Sequence, residues 1–235
     1  MLRTDGLARR FEAGRLVLDG VTVGFDEGSI TAIMGPSGSG KTTLLYCLSG
    51  MLRPTAGRVL YGEIDIAAQP QRKLDELRRT AFGFIFQAYN LIDALTAVQN
   101  VRLPSMFGAR VVSQTDAIEA LAQVGLAGFA DRYPAELSGG QCQRVAIARA
   151  LAVRRSVLFA DEPTGALDST ARREVLQHLT ALPGLGTSVV MVTHDPMVAA
   201  TASRVQFLYD GRIVDSLQGG DARQIARRLA DLEAA

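Results

Sequence analysis

Apolar residues alternate with small or polar ones over 16–25 (LVLDGVTVGF), which predicts a half-buried strand, and Glu27-Gly28 makes a turn. SITAIM at 29–34 is a short unbroken apolar run of the buried-strand kind. TTLLYCLSG at 42–50 reads as a helix stopping at Gly50. Strands are expected at 58–61 and 83–87, with a polar helix near 71–79 between them. The pattern then turns helical at 96–106, 114–124 and 139–153. Strands return at 157–161, 188–193 and 205–209, with a helix at 169–181, and Asp210-Gly211 signals a hairpin. Over 221–233, Ile225, Leu229 and Leu232 share one helical face, so this tail should dock on the body. Such alternation predicts an α/β fold, a mainly parallel sheet covered on both faces. A core from about 1–87 and 154–235 would carry an inserted helical lobe at about 88–153.

Composition narrows the class. Of 235 residues, 48% are hydrophobic, enough apolar material for a sizeable core. Twenty-five basic residues against 24 acidic ones leave a charge of +1, so no basic excess points to nucleic acid as a partner or to an anionic membrane surface. Two cysteines, Cys47 and Cys142, are too few for a disulfide framework and fit a reduced, intracellular chain. Charges interrupt the amino-terminal LRTDGLARRFEAGR, so no signal peptide is expected. No stretch approaches the roughly 18 apolar residues of a transmembrane segment. Only Lys41 and Lys73 are lysines, which makes the setting of each informative.

Lys41 closes the sharpest motif, Gly35-Pro36-Ser37-Gly38-Ser39-Gly40-Lys41-Thr42, with Thr43 following. At this composition about 0.002 matches to that pattern arise by chance. A predicted strand precedes it and a predicted helix follows. Glycines let backbone N–H groups turn inward around phosphate oxygens, and the next helix adds partial positive charge. Lys41 would reach the outer phosphates of a nucleotide, and the Thr42 hydroxyl can ligate Mg²⁺.

A second glycine-rich segment, LSGGQ at 137–141, opens a helix, with Leu137 lying 96 positions beyond Lys41. Ser138 before Gly139 and Gly140 reads as an anion-binding nest; standing alone it would read as a helix cap. The apolar strand VLFAD then delivers Asp161 and Glu162. Asp161 can hold Mg²⁺ through water, and Glu162 can polarise an attacking water. Asp168 ends the run PTGALD, and His194 follows a predicted strand, where open α/β sheets place their ligands.

This order of P-loop, glutamine strand, LSGGQ, acidic strand, ALD and histidine resembles the ATP-binding cassette (ABC) ATPases from about Phe11 to Ile213. The resemblance implies a P-loop NTPase core with a small antiparallel β lobe and an inserted helical lobe. It implies ATP and Mg²⁺ as cofactors, with Lys41, Glu162 and His194 catalytic. Gln87 would sense Mg²⁺ and the γ-phosphate, Phe11 would stack on adenine where the family often has Tyr, and Asp168 would face a second subunit. Ser138, Gly139, Gly140 and Gln141 would bind the nucleotide of that second subunit, in a homodimer or beside a paired ABC ATPase. Cys142 stands where the family usually carries a polar residue and reads as a tolerated small residue rather than a redox switch, and packing is the expected role for Cys47. The stretch GFIFQAYNLIDALTAVQNV (83–101) resembles the macrolide-efflux and lipoprotein-release subgroup. That implies integral membrane permease partners, a docking groove on 88–105, and a peripheral place on the cytoplasmic face of the membrane.

Other classes fit the motifs less well. Chromosome and DNA-repair ATPases of the family insert long coiled coils, and the interval between the two glycine-rich motifs holds no sustained heptads. Translation factors of the family carry two cassettes. A mechanotransmitting ATPase without cargo remains an alternative. A P-loop kinase would have no use for LSGGQ with ALD.

Overall fold

The computed structural model describes residues 1–11, 14–108 and 111–234. The chain opens with β1 (Leu2–Arg10), β2 (Leu16–Phe25), β3 (Ile30–Met34), α1 (Lys41–Leu48), β4 (Ala56–Tyr61) and β5 (Ile64–Asp65). It continues with α2 (Gln71–Thr80), β6 (Phe82–Ile85), α3 (Ala97–Met106), α4 (Gln114–Gln123), α5 (Gly139–Leu151) and β7 (Val157–Asp161). It ends with α6 (Ser169–Ala181), β8 (Ser188–Val192), α7 (Pro196–Ala199), β9 (Arg204–Tyr209), β10 (Arg212–Gln218) and α8 (Ala222–Glu233).

The main sheet runs β10-β9-β3-β8-β7-β6. Five strands are parallel, and only β10 pairs antiparallel, through the Asp210-Gly211 turn. Successive side chains of its central strands serve opposite cores, as the period of two requires. Val157 and Phe159 of β7 pack with Leu44, Leu48 and the amino-terminal sheet. Leu158 and Ala160 pack instead with Val145 and Ile147 of α5 and Val175 of α6. Phe159 stacks on Phe84 and meets Phe82 edge-on, with centroids 5.5 and 5.3 Å away.

A second, antiparallel sheet, β2-β1-β4-β5, covers one face. Its strand β1 carries no clean alternation in the sequence, and the structure shows why. Leu2 and Thr4 face inward, then the phase shifts, so that Leu7 is buried instead of Gly6. Gly6, with φ +58°, sits at this register shift against β2 and absorbs the bulge. The charges of Arg3, Asp5 and Arg10 are exposed. The elements predicted from the sequence fall within a few residues of their expected spans, whereas the short β5 and α7 were not expected. Strand β6 stops at Ile85, so Phe86 and Gln87 leave the sheet.

The helices begin where local chemistry allows. Thr96, Ser113 and Ser138 each cap a helix with their hydroxyls, and Gln99, Asp116 and Gln141 return the bond to the capping backbone. Buried Asn100 holds the chain before α3: its amide donates to the carbonyls of Ile92, Leu95 and Thr96 and its Oδ1 accepts from Ile92 N. No helix among the described residues is long and apolar enough to cross a membrane.

Candidate functional site

Parallel strands place their carboxyl ends along one edge of the sheet, and ligands bind outside such an edge. Here β3 runs into the loop 35–40, β6 into Gln87, β7 into Asp161-Glu162 and β8 into His194. Pairing of β7 between β6 and β8, and of β3 beside β8, brings four segments distant in sequence to one place.

The loop needs its glycines. Gly35 has φ +152°, and a Cβ there would lie 1.9 Å from the carbonyl oxygen of Leu208. Gly40 has φ +105°, with Val17 O 2.7 Å from a would-be Cβ. Gly40 begins α1 without a side-chain cap, so the first amides of that helix stay available to an anion. Lys41 Nζ donates to the carbonyls of Gly35 and Pro36, at 2.8 and 2.7 Å. Burial pushes its pKa down, against the pull of Glu162 and Asp161.

Asp161 is buried, and burial pushes its pKa up; the Thr42 hydroxyl, which donates to Oδ1 at 3.2 Å, and Lys41 oppose that shift. Thr42 and Asp161 thus present adjacent hard oxygens beside the loop. That donor set suits Mg²⁺, which takes few protein ligands and fills its octahedron with phosphate oxygens and water. Glu162 adopts φ +49°, and its Oε1 lies 2.8 Å from His194 Nδ1. The glutamate side chain is 12% exposed and the histidine 72%, so the pair leads from the protein body to the surface. Asp195 fixes the backbone after His194, accepting from Met197 N at 2.8 Å and from Arg172 Nη1 at 2.9 Å.

Around these groups lies a cavity of about 820 Å³. Phe11, Gly35, Pro36, Ser37, Gly38, Gly40, Lys41, Thr42, Thr43, Gln87, Asp161, Glu162 and His194 line it. Ser39 does not; it is buried behind the loop, its N–H on Pro36 O. Arg9 covers one face of the Phe11 ring, its guanidinium carbon 4.7 Å from the centroid. The cavity also takes Arg15, Val17, Leu229 and Glu233, which sequence reasoning missed. The apolar face of α8 was legible, but nothing local says that its far end reaches this cavity.

The family model described as "ABC transporter" matches residues 18–165, more than half of the chain. This chain belongs to the ABC transporter family. The macrolide export ATP-binding/permease protein MacB of Burkholderia pseudomallei (strain 1710b) is 43% identical over 249 residues, covering 98% of this chain and 38% of that protein. The protein of that name from Marinobacter nauticus is 41% identical over 220 residues, covering 92% of this chain and 34% of its own length. The chain therefore spans little more than a third of these relatives. Among solved structures, the ATP-binding cassette MJ0796 in a dimeric post-hydrolysis state bound to ADP and Pi superposes with TM-score 0.88 at 38% identity, over 93% of this chain and 98% of that one. Clostridium perfringens cbiO1, part of the ABC transporter complex cbiONQ, gives 0.79 at 27% identity, over 96% and 90%.

The remaining predicted site residues of this ABC transporter family member lie apart from the cavity. Ser138, Gly139, Gly140, Gln141 and Asp168 are absent from its lining. Ser138 Oγ accepts from Gln141 N at 3.3 Å, which leaves its own proton free to donate outward. Asp168 caps α6, accepting from Thr170 N and Ala171 N at 2.9 Å, and those amides hold its carboxyl below the usual range. Cys142 is buried with Sγ 3.7 Å from Pro134 O, and Cys47 is buried in α1 with its thiol pushed up to about 12.

Proposed function

We propose that this chain is the ATP-hydrolysing subunit of a transporter of the macrolide-export type, working as a head-to-tail pair of cassettes on the cytoplasmic face of the membrane. The observation that carries this reading is a separation. One chain holds the glycine-rich loop, the carboxylates and the histidine in one cavity, while its second glycine-rich turn, Ser138–Gly140, opens α5 outside that cavity's lining. A two-fold axis lets each chain complete the other's site.

In this reading, Lys41 exchanges its two carbonyl partners for phosphate oxygens, and the loop amides hold the rest. Thr42 and Asp161, with Gln87 nearby, would hold Mg²⁺, which supplies charge neutralisation to the transferred phosphoryl group. Glu162 orients and polarises the attacking water, and His194 contacts the γ-phosphate from the surface side. Phe11 offers an apolar ring to the base. Gln141 and Asp168 lie at the junction of the two chains. Chemistry of this kind depends on positioning and charge more than on covalent steps. Hydrolysis removes the charge that both chains share, and the pair reopens.

Motion would pass between the core of about 1–87 and 154–235 and the helical lobe of about 88–153. A separate groove of about 380 Å³ lies between α2, β6, α3 and α5. Leu103, Pro104 and Phe107 supply apolar wall, Arg79 and Arg155 supply charge, and Asp75 is the one acid in its lining among the described residues. This groove suits an acidic, amphipathic helix of an integral membrane permease; of the expected 88–105 region only Asn90, Leu103 and Pro104 line it, and most of its wall comes from α2, β6 and the end of α5.

The test combines rate and assembly. ATP turnover should rise more steeply than linearly with protein concentration, because the competent species is a pair. Glu162→Gln should still bind ATP, lose at least about 100-fold in turnover, and elute as a dimer with ATP. A variant that turned over at the parent rate, or stayed monomeric with ATP while the parent hydrolysed it, would refute the reading.

A further inference from the structure

Just beyond Gln87 the backbone takes a shape that side chains resist. Tyr89 has φ +59° and Asn90 φ +49°, two consecutive left-handed residues, neither of them glycine. Local bonds close the turn: Tyr89 N donates to Phe86 O at 3.2 Å and Asn90 N to Ala88 O at 2.6 Å. The two strained residues' own carbonyls are both taken by one distant side chain. Arg149 Nη2 donates to Tyr89 O at 2.9 Å, and Arg149 Nη1 to Asn90 O at 2.6 Å.

Arg149 sits in the last turn of α5, and burial lowers its pKa. No carboxylate pairs with it among the described residues. The two carbonyls are therefore its compensation for leaving water. The first turn of the same helix meets the other side of the turn: a Cβ built on Gly139 would lie 3.0 Å from Tyr89 Oη. The strained pair is thus bonded to the last turn of the helix whose start is the LSGGQ turn and lies beside its first turn, and Gln87 lies two residues before the pair.

We propose that Arg149 is a positioning residue for ATP turnover, clamping the Tyr89–Asn90 turn so that Gln87 at one nucleotide and Ser138–Gly140 at the other move as one body. This rests on the functional reading above. A guanidinium serves because its fork reaches two adjacent carbonyls in fixed geometry, whereas an ammonium keeps the charge but not the fork. The strain gives the turn a lower-energy shape to fall into when the clamp is absent, so Gln87 would lose its fixed relation to α5.

The experiment uses the full chain as wild type, Arg149→Lys, and Arg149→Lys with Asn90→Gly. Backbone hydrogen exchange in the nucleotide-free proteins reads the clamp without reference to activity. Arg149→Lys should speed exchange over 86–92 and leave 35–43 unchanged. In turnover, kcat should fall about fivefold or more with KM within about twofold. Asn90→Gly in that background should recover much of kcat, because glycine adopts positive φ without a clamp. A merely structural arginine would give a loss that glycine leaves alone or deepens. Unchanged exchange over 86–92 in Arg149→Lys, or no rescue by Asn90→Gly, overturns the proposal. Should Arg149→Lys fail to fold, Asn90→Ala carries the test: alanine resists positive φ with the guanidinium in place, so exchange must rise and kcat fall, and wild-type behaviour overturns the proposal. Absence of ATP turnover in the wild type would instead sink the functional reading, while the exchange data still decide the clamp.

Discussion

Two glycines of the phosphate loop, Gly35 and Gly38, allow the local physics to be separated from the chemistry. Both have positive φ, +152° and +79°. A methyl group on Gly38 meets nothing within 4 Å, whereas one on Gly35 lies 1.9 Å from Leu208 O, 2.9 Å from Ser39 Oγ and 3.0 Å from Leu208 C. Leu208 belongs to β9, which pairs β3 on one side and β10 on the other, so its carbonyl has little room to yield. Gly38→Ala should therefore carry only backbone strain, about 1–2 kcal/mol. Gly35→Ala adds about 1–3 kcal/mol of overpacking to about 1–3 kcal/mol of strain, a total of about 2–6 kcal/mol. For a chain of this size that corresponds to about 5–20 °C in melting temperature. Urea unfolding of the two variants beside the parent, monitored by far-ultraviolet circular dichroism, measures both without involving ATP. The expected order is parent, then Gly38→Ala, then Gly35→Ala, with unchanged urea slopes. Coincident midpoints for the two alanine variants, or a larger loss at Gly38, would refute the argument that the β9 carbonyl sets the shape of the loop.

Other outcomes follow from the same packing and electrostatics. Burial raises the pKa of Asp161, so its ionised form burdens the nucleotide-free fold and stability falls as pH rises through that pKa. Asp161→Asn should therefore raise the melting temperature near neutral pH, with the gain vanishing below about pH 4, where the acid is protonated in both states; a gain that grew on acidification would contradict this. Leu7 is fully buried in the bulged strand β1, and Leu7→Ala should cost about 2–5 kcal/mol by urea titration. A loss under half of that would mean that β1 contributes little to the core. His194→Ala should slow single-turnover hydrolysis at least tenfold, about 1.4 kcal/mol of barrier, with ATP affinity by calorimetry nearly unchanged, since its ring is exposed at the edge of the cavity; equal loss of binding would reassign it to ground-state contact.

The motifs were legible because each is local. A phosphate loop needs glycines, a lysine and a hydroxyl at fixed spacing, and a buried parallel strand needs an unbroken apolar run. Strand β1 was not legible, because its bulge at Gly6 shifts the period on which pattern reading depends. The end of β6 was misread by two residues, since Phe86 and Gln87 continue an apolar-looking run after the pairing with β7 has stopped at Ile85.

Sequence by itself determined the candidate chemistry: which loop has the glycines and lysine suited to phosphate, which strand ends deliver acids, and which turn opens with Ser-Gly-Gly. Tertiary structure alone decided which of these meet. The order of strands in the main sheet put Lys41, Gln87, Asp161, Glu162 and His194 around one cavity and kept Ser138 and Asp168 out of it. It also brought Leu229 and Glu233 to that cavity and set Arg149 on the carbonyls of Tyr89 and Asn90, contacts spanning about sixty residues or more in sequence. Contacts across such distances leave no periodic trace, because an arginine that bonds a far backbone and one that faces water obey the same local rules.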